Sequence, residues 1–171
     1  MAMDAFSASL MADKREIIFA PTVYKFQTFA QMAEEFQLNE RDVVLTNEFI
    51  YTPFMKELGL ECSFVFQEKF GAGEPSEAMI QTMYDAIPYD SYDRVIAVGG
   101  GAIMDLCKLL GCKRPDSVHE LYYKRFPVVH EKDVIAIPTT CGTGSECTNI
   151  SVAIVKTEID GHLTGGETKL G

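Results

Sequence analysis

The sequence predicts an α/β fold: a mostly parallel sheet with helices on both faces, followed by a β-hairpin. Three observations carry this. Short runs rich in Val and Ile, at Asp42–Thr46 (DVVLT), Arg94–Val98 (RVIAV) and Val134–Ile137 (VIAI), read as buried strands. Stretches with helical spacing separate them, and crossovers of that length return the next strand parallel to the last. Small and hydroxylic residues follow the strands, at the carboxyl ends where such sheets bind ligands.

The elements follow in order. Ile17–Ala20 is expected to be a strand and Val23–Phe26 a second extended piece. Thr28 is placed to cap a helix running to about Phe36, because Phe29, Met32, Ala33 and Phe36 share one face. After the strand Asp42–Thr46 comes a helix over Glu48–Leu58, ended by Gly59. Cys62–Gln67 reads as a strand and Gly71–Ser76 as a turn, with Pro75 opening a helix to about Ile87. Arg94–Val98 precedes a helix over Ala102–Gly111, residues 112–132 carry no clear period, and Val134–Ile137 is the last strong strand. Asn149–Val155 and His162–Glu167 are expected to pair across Asp160-Gly161. Residues 1–16 have no basic leader region and read as a loose extension, which leaves 17–171 as one domain.

Composition narrows the function classes. Lys and Arg total 15 against 25 Asp and Glu, a formal charge of −10, whereas a nucleic-acid binder draws affinity from a basic face. Nucleic acid and anionic membrane are therefore poor partners, while a phosphate-bearing small molecule still fits a local field. No run approaches the roughly 18–20 apolar residues of a membrane helix. The five cysteines, Cys62, Cys107, Cys112, Cys141 and Cys147, are odd in number and show no C-x-x-C spacing. This argues against a disulfide framework or a zinc knuckle and for a reducing cytoplasm.

Two loops hold the chemistry. Gly99-Gly100-Gly101 lies between a strand and a helix. Glycines there free the backbone and admit a bulky anion to the N–H groups and positive dipole end of the next helix. Glycine alone does not separate this from a tight turn. In the second loop, Thr139, Thr140, Thr143 and Ser145 interleave with Gly142 and Gly144. Their hydroxyls suit ribose and phosphate oxygens. Two such loops at the ends of separate strands are much less expected by chance than either alone, which favours the phosphate-binding reading.

Gly99 to Lys108, GGGAIMDLCK, resembles the GGGSxxDxAK signature of iron-containing (group III) alcohol dehydrogenases, and Pro138 to Glu146, PTTCGTGSE, resembles that family's PTTxGTGSE. The similarity runs from about Ile17 to the end. The wording is closest to 4-hydroxybutyrate dehydrogenases, on TNEF at Thr46–Phe49, GEPS at Gly73–Ser76 and TCGTGSE at Thr140–Glu146. The resemblance implies a Rossmann-like dinucleotide-binding domain over 17–171. It implies that Gly99 opens the turn and that Gly100, Gly101 and Ala102 bind pyrophosphate through backbone N–H. Thr139, Thr140 and Thr143 would line the adenine and ribose side, with Ser145 in the same loop. Asp105 would stand in the first turn of the phosphate helix near the nicotinamide, and Lys169 near the nicotinamide ribose. Two departures matter: Ala102 stands for the usual serine, and Asn47 stands where many relatives have aspartate. A carboxylate at 47 would accept ribose hydroxyls and repel a 2′-phosphate, so NAD is the expected cofactor with NADP less firmly excluded. In the family an aspartate and three histidines bind Fe2+ or Zn2+ in an all-helical second domain, expected downstream of Gly171. The implied activity is hydride transfer between nicotinamide and a primary alcohol or aldehyde, such as 4-hydroxybutyrate and succinic semialdehyde, in a protein that admits a homo-oligomer. The alternatives are a non-catalytic nucleotide-binding module and a lyase like dehydroquinate synthase. These 171 residues alone are expected to be inactive.

Other residues have plainer readings. His119, His130 and His162 show no mutual ligand spacing. Cys107 and Cys112 read as small core residues, Cys141 as a filler in its loop, and Asp105 with Lys108 as an i,i+3 pair on a helix surface.

Overall fold

The computed structural model describes residues 21–123, 125–159 and 162–170, with 156–159 and 162–170 described as backbone only. The predicted strand at Ile17–Ala20 lies outside these residues. Four parallel strands form the main sheet: β1 (Asp42–Thr46), β2 (Ser63–Phe66), β3 (Arg94–Gly99) and β4 (Asp133–Pro138), in the order β2-β1-β3-β4. β5 (Ser151–Ile159) and β6 (His162–Leu170) form an antiparallel pair in the predicted place.

The helices fall on both faces because the buried strands are apolar on both. Val44, Ile96 and Val98 point one way, toward Met32 of α1 (Phe29–Glu35) and Ile50 of α2 (Glu48–Phe54). Val43, Leu45, Val95 and Ala97 point the other way. They meet Ile80 and Met83 of α3 (Glu77–Ala86), Leu106 and Leu110 of α4 (Gly101–Gly111), and Leu121 of α5 (Val118–Tyr122). Each fully buried Val, Leu or Ile contributes about 1.5–3 kcal/mol, so the alternation along β1 and β3 fixes both layers.

Element ends follow local chemistry. Thr28 caps α1, accepting from the Gln31 N–H at 3.3 Å. Val23–Phe26 is not a strand; Tyr24 and Phe26 instead pack with Phe36 in an aromatic cluster. The helix predicted over Glu48–Leu58 breaks at Met55, just past Pro53. Proline donates no helical N–H and crowds the preceding turn, and the chain continues as a 3-10 turn, Lys56–Leu58, before Gly59 at φ +60. Pro75 does not open α3. Ser76 is the cap, accepting from the Met79 N–H, and the Pro75 carbonyl accepts from Ile154. Among the described residues of 112–132, the stretch without a clear period, the helix present is the short α5, and Cys112 bridges to His130. Among the described residues no helix is long and apolar enough to cross a membrane.

Candidate functional site

Strand order locates a crevice. From β1 the chain crosses to β2 on one side, and from β3 it crosses to β4 on the other. The two connections leave in opposite directions, so the carboxyl ends of β1 and β3 part without a loop over them. Paired residues end at Leu45 with Ala97. Beyond them the Thr46 hydroxyl donates to the Val98 carbonyl at 2.8 Å and ties the floor. Asn47 stands on one lip of this crevice and Gly99-Gly100-Gly101 on the other. An open groove passes here, its wall including Asn47, Phe49, Gly100, Pro138, Thr139 and Thr140.

The glycine turn is shaped by space rather than by left-handed backbone. Gly100, the N-cap of α4, has φ −85. A Cβ on Gly99 would come within 2.5 Å of Ile103, and one on Gly101 within 2.9 Å of Thr143. At Gly100 the nearest atom to a Cβ is the Thr140 Oγ1, at 3.4 Å, an ordinary contact. Gly99 and Gly101 are therefore required by packing, while a Cβ at Gly100 would only touch the Thr140 side chain on the groove wall. No side chain caps α4 and no acidic residue lies in its first turn. The N–H groups at its start and its positive end are left for an anion.

The hydroxyl loop closes over the same turn. The Thr139 N–H donates to the Gly99 carbonyl at 2.9 Å, which seats the loop beside β3. Thr139, Thr140 and Thr143 remain exposed. Gly144, at φ +64, lets the chain turn inward to Ser145.

Ser145 and Asp105, both expected at the cofactor, are buried and hydrogen-bonded to each other. Ser145 is 7 % exposed, and its hydroxyl donates to Asp105 Oδ1 at 2.5 Å. Asp105 lies in the second turn of α4, not the first, and is 8 % exposed. Its other oxygen accepts from the Val152 N–H at 3.0 Å, and its carbonyl from the Ser151 hydroxyl at 2.9 Å. Lys108 Nζ lies within hydrogen-bond distance of Asp105 Oδ1 (3.1 Å), Ser145 Oγ (2.6 Å), Thr148 Oγ1 (3.2 Å) and the Ile150 carbonyl (2.7 Å), four acceptors that share its three N–H groups. The i,i+3 pair is present, but not as a surface pair. It is the buried post on which the hydroxyl loop and the start of β5 are fastened. The reason is geometric: the loop folds across α4, and a serine at 145 meets the side of that helix.

Other sequence candidates separate from this group. Lys169 is known here only as backbone paired with Val152, and its side chain lies outside the described residues. Ala102 is half-buried in the first turn of α4. Cys141 and Cys147 are exposed, whereas Cys62, Cys107 and Cys112 are buried. Burial pushes the Cys62 thiol up to about 11 and raises Cys107 and Cys112 as well. His119 stacks on Tyr123 and pairs with Glu77 at 3.3 Å. Among the described residues no group of three His, Cys, Asp or Glu side chains is placed to hold a metal ion.

Sequence reasoning missed Glu68. It lies on the 3-10 turn Gln67–Lys69 after β2, and its Oε1 accepts from Asn47 Nδ2 at 3.1 Å and from the Glu48 N–H at 3.2 Å. The only available signal was an acidic residue just past a strand. The missed Phe49 is largely exposed on the groove wall.

Comparisons with known proteins bear on the family and the fold. Residues 20–164 match the family model described as iron-containing alcohol dehydrogenase. The chain is 46% identical over 137 residues to 4-hydroxybutyrate dehydrogenase from Clostridium kluyveri, covering 80% of this chain and 37% of that protein. Sulfoacetaldehyde reductase from Bifidobacterium kashiwanohense, solved in complex with NAD+, superposes with a TM-score of 0.63 at 22% identity, over 83% of this chain and 38% of the other. An iron-containing alcohol dehydrogenase from Thermotoga maritima gives 0.60 at 23% identity, over 84% and 40%. At these identities the two solved structures support the fold alone. The chain spans well under half the length of each of the three.

Proposed function

The chain belongs to the iron-containing alcohol dehydrogenase family, and on that premise we propose that it forms the NAD-binding half of an alcohol dehydrogenase. The observation that carries this is the coincidence of the crevice between β1 and β3 with an uncapped helix start at Gly100-Gly101 and a hydroxyl loop folded against it.

The residues present fit a dinucleotide. Backbone N–H groups of Gly101 and Ala102, with the positive end of α4, hold the pyrophosphate, and Gly100 lets it approach the main chain. Thr139, Thr140 and Thr143 offer hydroxyls to ribose and phosphate oxygens. Asn47 reaches the adenosine ribose from the end of β1. Asp105, Ser145 and Lys108 are positioning residues that hold the hydroxyl loop against the glycine turn. NAD, when bound, supplies the nicotinamide ring that accepts or returns a hydride.

The described residues do not fit a metal. No step is routed through a metal. The substrate pair we favour is 4-hydroxybutyrate and succinic semialdehyde, supported by the resemblance to the Clostridium kluyveri enzyme. The test is NADH formation by the complete gene product with 4-hydroxybutyrate, and its loss with succinic semialdehyde, alongside direct NADH titration. Turnover with saturable NADH binding is expected. Binding without turnover on any primary alcohol or aldehyde would leave a nucleotide-binding module; no binding would reject the site.

A further inference from the structure

The lip of the crevice at β1 lacks the carboxylate that a ribose reader ordinarily supplies, since residue 47 is asparagine. A neutral amide can accept from a ribose hydroxyl, but it does not repel a 2′-phosphate. The structure brings a carboxylate to the same place from the neighbouring strand. Thr46 and Phe66 are register partners, so the chain leaves β1 and β2 side by side. The 3-10 turn after β2 then carries Glu68 back toward β1, where Oε1 accepts from both Asn47 Nδ2 and the Glu48 N–H.

The state of this carboxylate suits a reader. Glu68 is exposed, and among the described residues no ion pair neutralises it. Its neighbour Lys69 lies over the Phe66 ring, 5.2 Å from the centroid. Among the described residues, the hydrogen bonds to Glu68 fall on Oε1. By donating its amide to Glu68, Asn47 presents its own Oδ1 as an acceptor. The pair therefore offers two acceptors and a full negative charge beside the crevice. A dinucleotide whose pyrophosphate lies over Gly100 directs its adenosine ribose toward the end of the next strand, which is β1. A simpler role for Glu68 is as a cap of α2, using the same Oε1.

We propose that Glu68, held against Asn47 at the ends of β2 and β1, supplies the anionic charge that reads the adenosine ribose and sets the preference for a dinucleotide with a free 2′-hydroxyl over one with a 2′-phosphate. This rests on the nucleotide reading of the groove. The carboxylate comes from β2 because β1 ends in an amide, and the two residues act as one reader.

The experiment is titration of the complete gene product with NADH and NADPH, followed by fluorescence. The variants are Glu68→Gln and the double variant Glu68→Gln with Asn47→Asp. Glu68→Gln keeps size and an acceptor for the Glu48 N–H, so a capping role survives it. Wild type is expected to prefer NADH. Glu68→Gln is expected to lower the NADH-to-NADPH affinity ratio by about tenfold or more, mainly through tighter NADPH binding, as the loss of a close charge repulsion allows. The double variant returns one carboxylate to the lip and is expected to recover the ratio. An unchanged ratio in Glu68→Gln, with NADH still bound, would reduce Glu68 to a cap and overturn the proposal alone. So would a wild type that prefers NADPH, or a ratio that falls and is not recovered in the double variant. Failure of wild type to bind either nucleotide would reject the groove itself, and the proposal with it.

Discussion

Ser145 and Asp105, forty residues apart, share a 2.5 Å hydrogen bond, and Lys108 bonds to both. Helix α4 is thereby joined to the loop that covers its start. Asp105 from the helix and Ser145 from the loop turn inward to make this joint, while Thr139, Thr140 and Thr143 stay exposed.

Removing the joint should cost both stability and affinity. Asp105→Ala leaves the half-buried Lys108 ammonium without its carboxylate and the Ser145 hydroxyl without its acceptor. Breaking a buried pair costs about 3–5 kcal/mol, and the partial exposure here reduces the expectation to about 2 kcal/mol. Thermal melting of the complete gene product should show a lower midpoint, and NADH titration a weaker Kd as the loop loosens. A variant that melts and binds like wild type would show that the joint holds nothing.

Gly100 offers a cleaner probe of the ligand than its neighbours. A side chain on Gly99 or Gly101 collides with Ile103 or Thr143, so losses there mix packing with binding. A first carbon at Gly100 meets only ordinary contact. Gly100→Val should therefore fold and lose at least about tenfold in NADH affinity, about 1.4 kcal/mol. Unchanged affinity in a folded Gly100→Val variant would move the pyrophosphate elsewhere.

Cysteine reactivity should divide by burial. The thiolate is the reactive form, and burial raises Cys62, Cys107 and Cys112 away from it. Alkylation of the native protein followed by peptide mass spectrometry should label the exposed Cys141 and Cys147 first. Bound NAD should slow Cys141, which sits between Thr140 and Gly142, more than Cys147. Labelling of Cys107 at a similar rate would contradict the packing of α4 against the sheet.

Arg94 should matter for stability but not for the nucleotide. At the amino end of β3 it grips Asp42 with two hydrogen bonds of 2.7 and 2.8 Å, and Asp42 is 2 % exposed. The Asp42 carboxylate raises the pKa of the Arg94 guanidinium. Arg94→Met leaves a buried carboxylate unpaired, an expected loss of about 3 kcal/mol. The melting midpoint should fall while the folded variant keeps its NADH affinity. A loss of affinity at unchanged stability would be the contrary result.

The sheet was readable because β1 and β3 are buried on both faces, which leaves runs such as DVVLT with almost no polar interruption. The end of the sheet that carries the glycine and hydroxyl loops was readable too, once strands alternating with helices implied parallel order; the strand order that opens the crevice was not. Three features were not readable, for physical reasons. The inward turn of Ser145 depends on where the loop crosses α4, and the serine looks the same as the threonines that face outward. Glu68 acts through a contact 21 residues from Asn47 in sequence, which no local pattern records. Pro53 was visible, but its effect depended on whether tertiary contacts would carry the helix past it, and they do not.

The most direct measurement is the position of NAD+ in a crystal of the complete gene product. The account predicts pyrophosphate oxygens within ordinary hydrogen-bond distance of the Gly101 and Ala102 N–H groups, passing between Gly100 and Thr140. Its adenosine ribose should lie at Asn47. A dinucleotide bound at the amino ends of the strands, or with its pyrophosphate away from the start of α4, would contradict it.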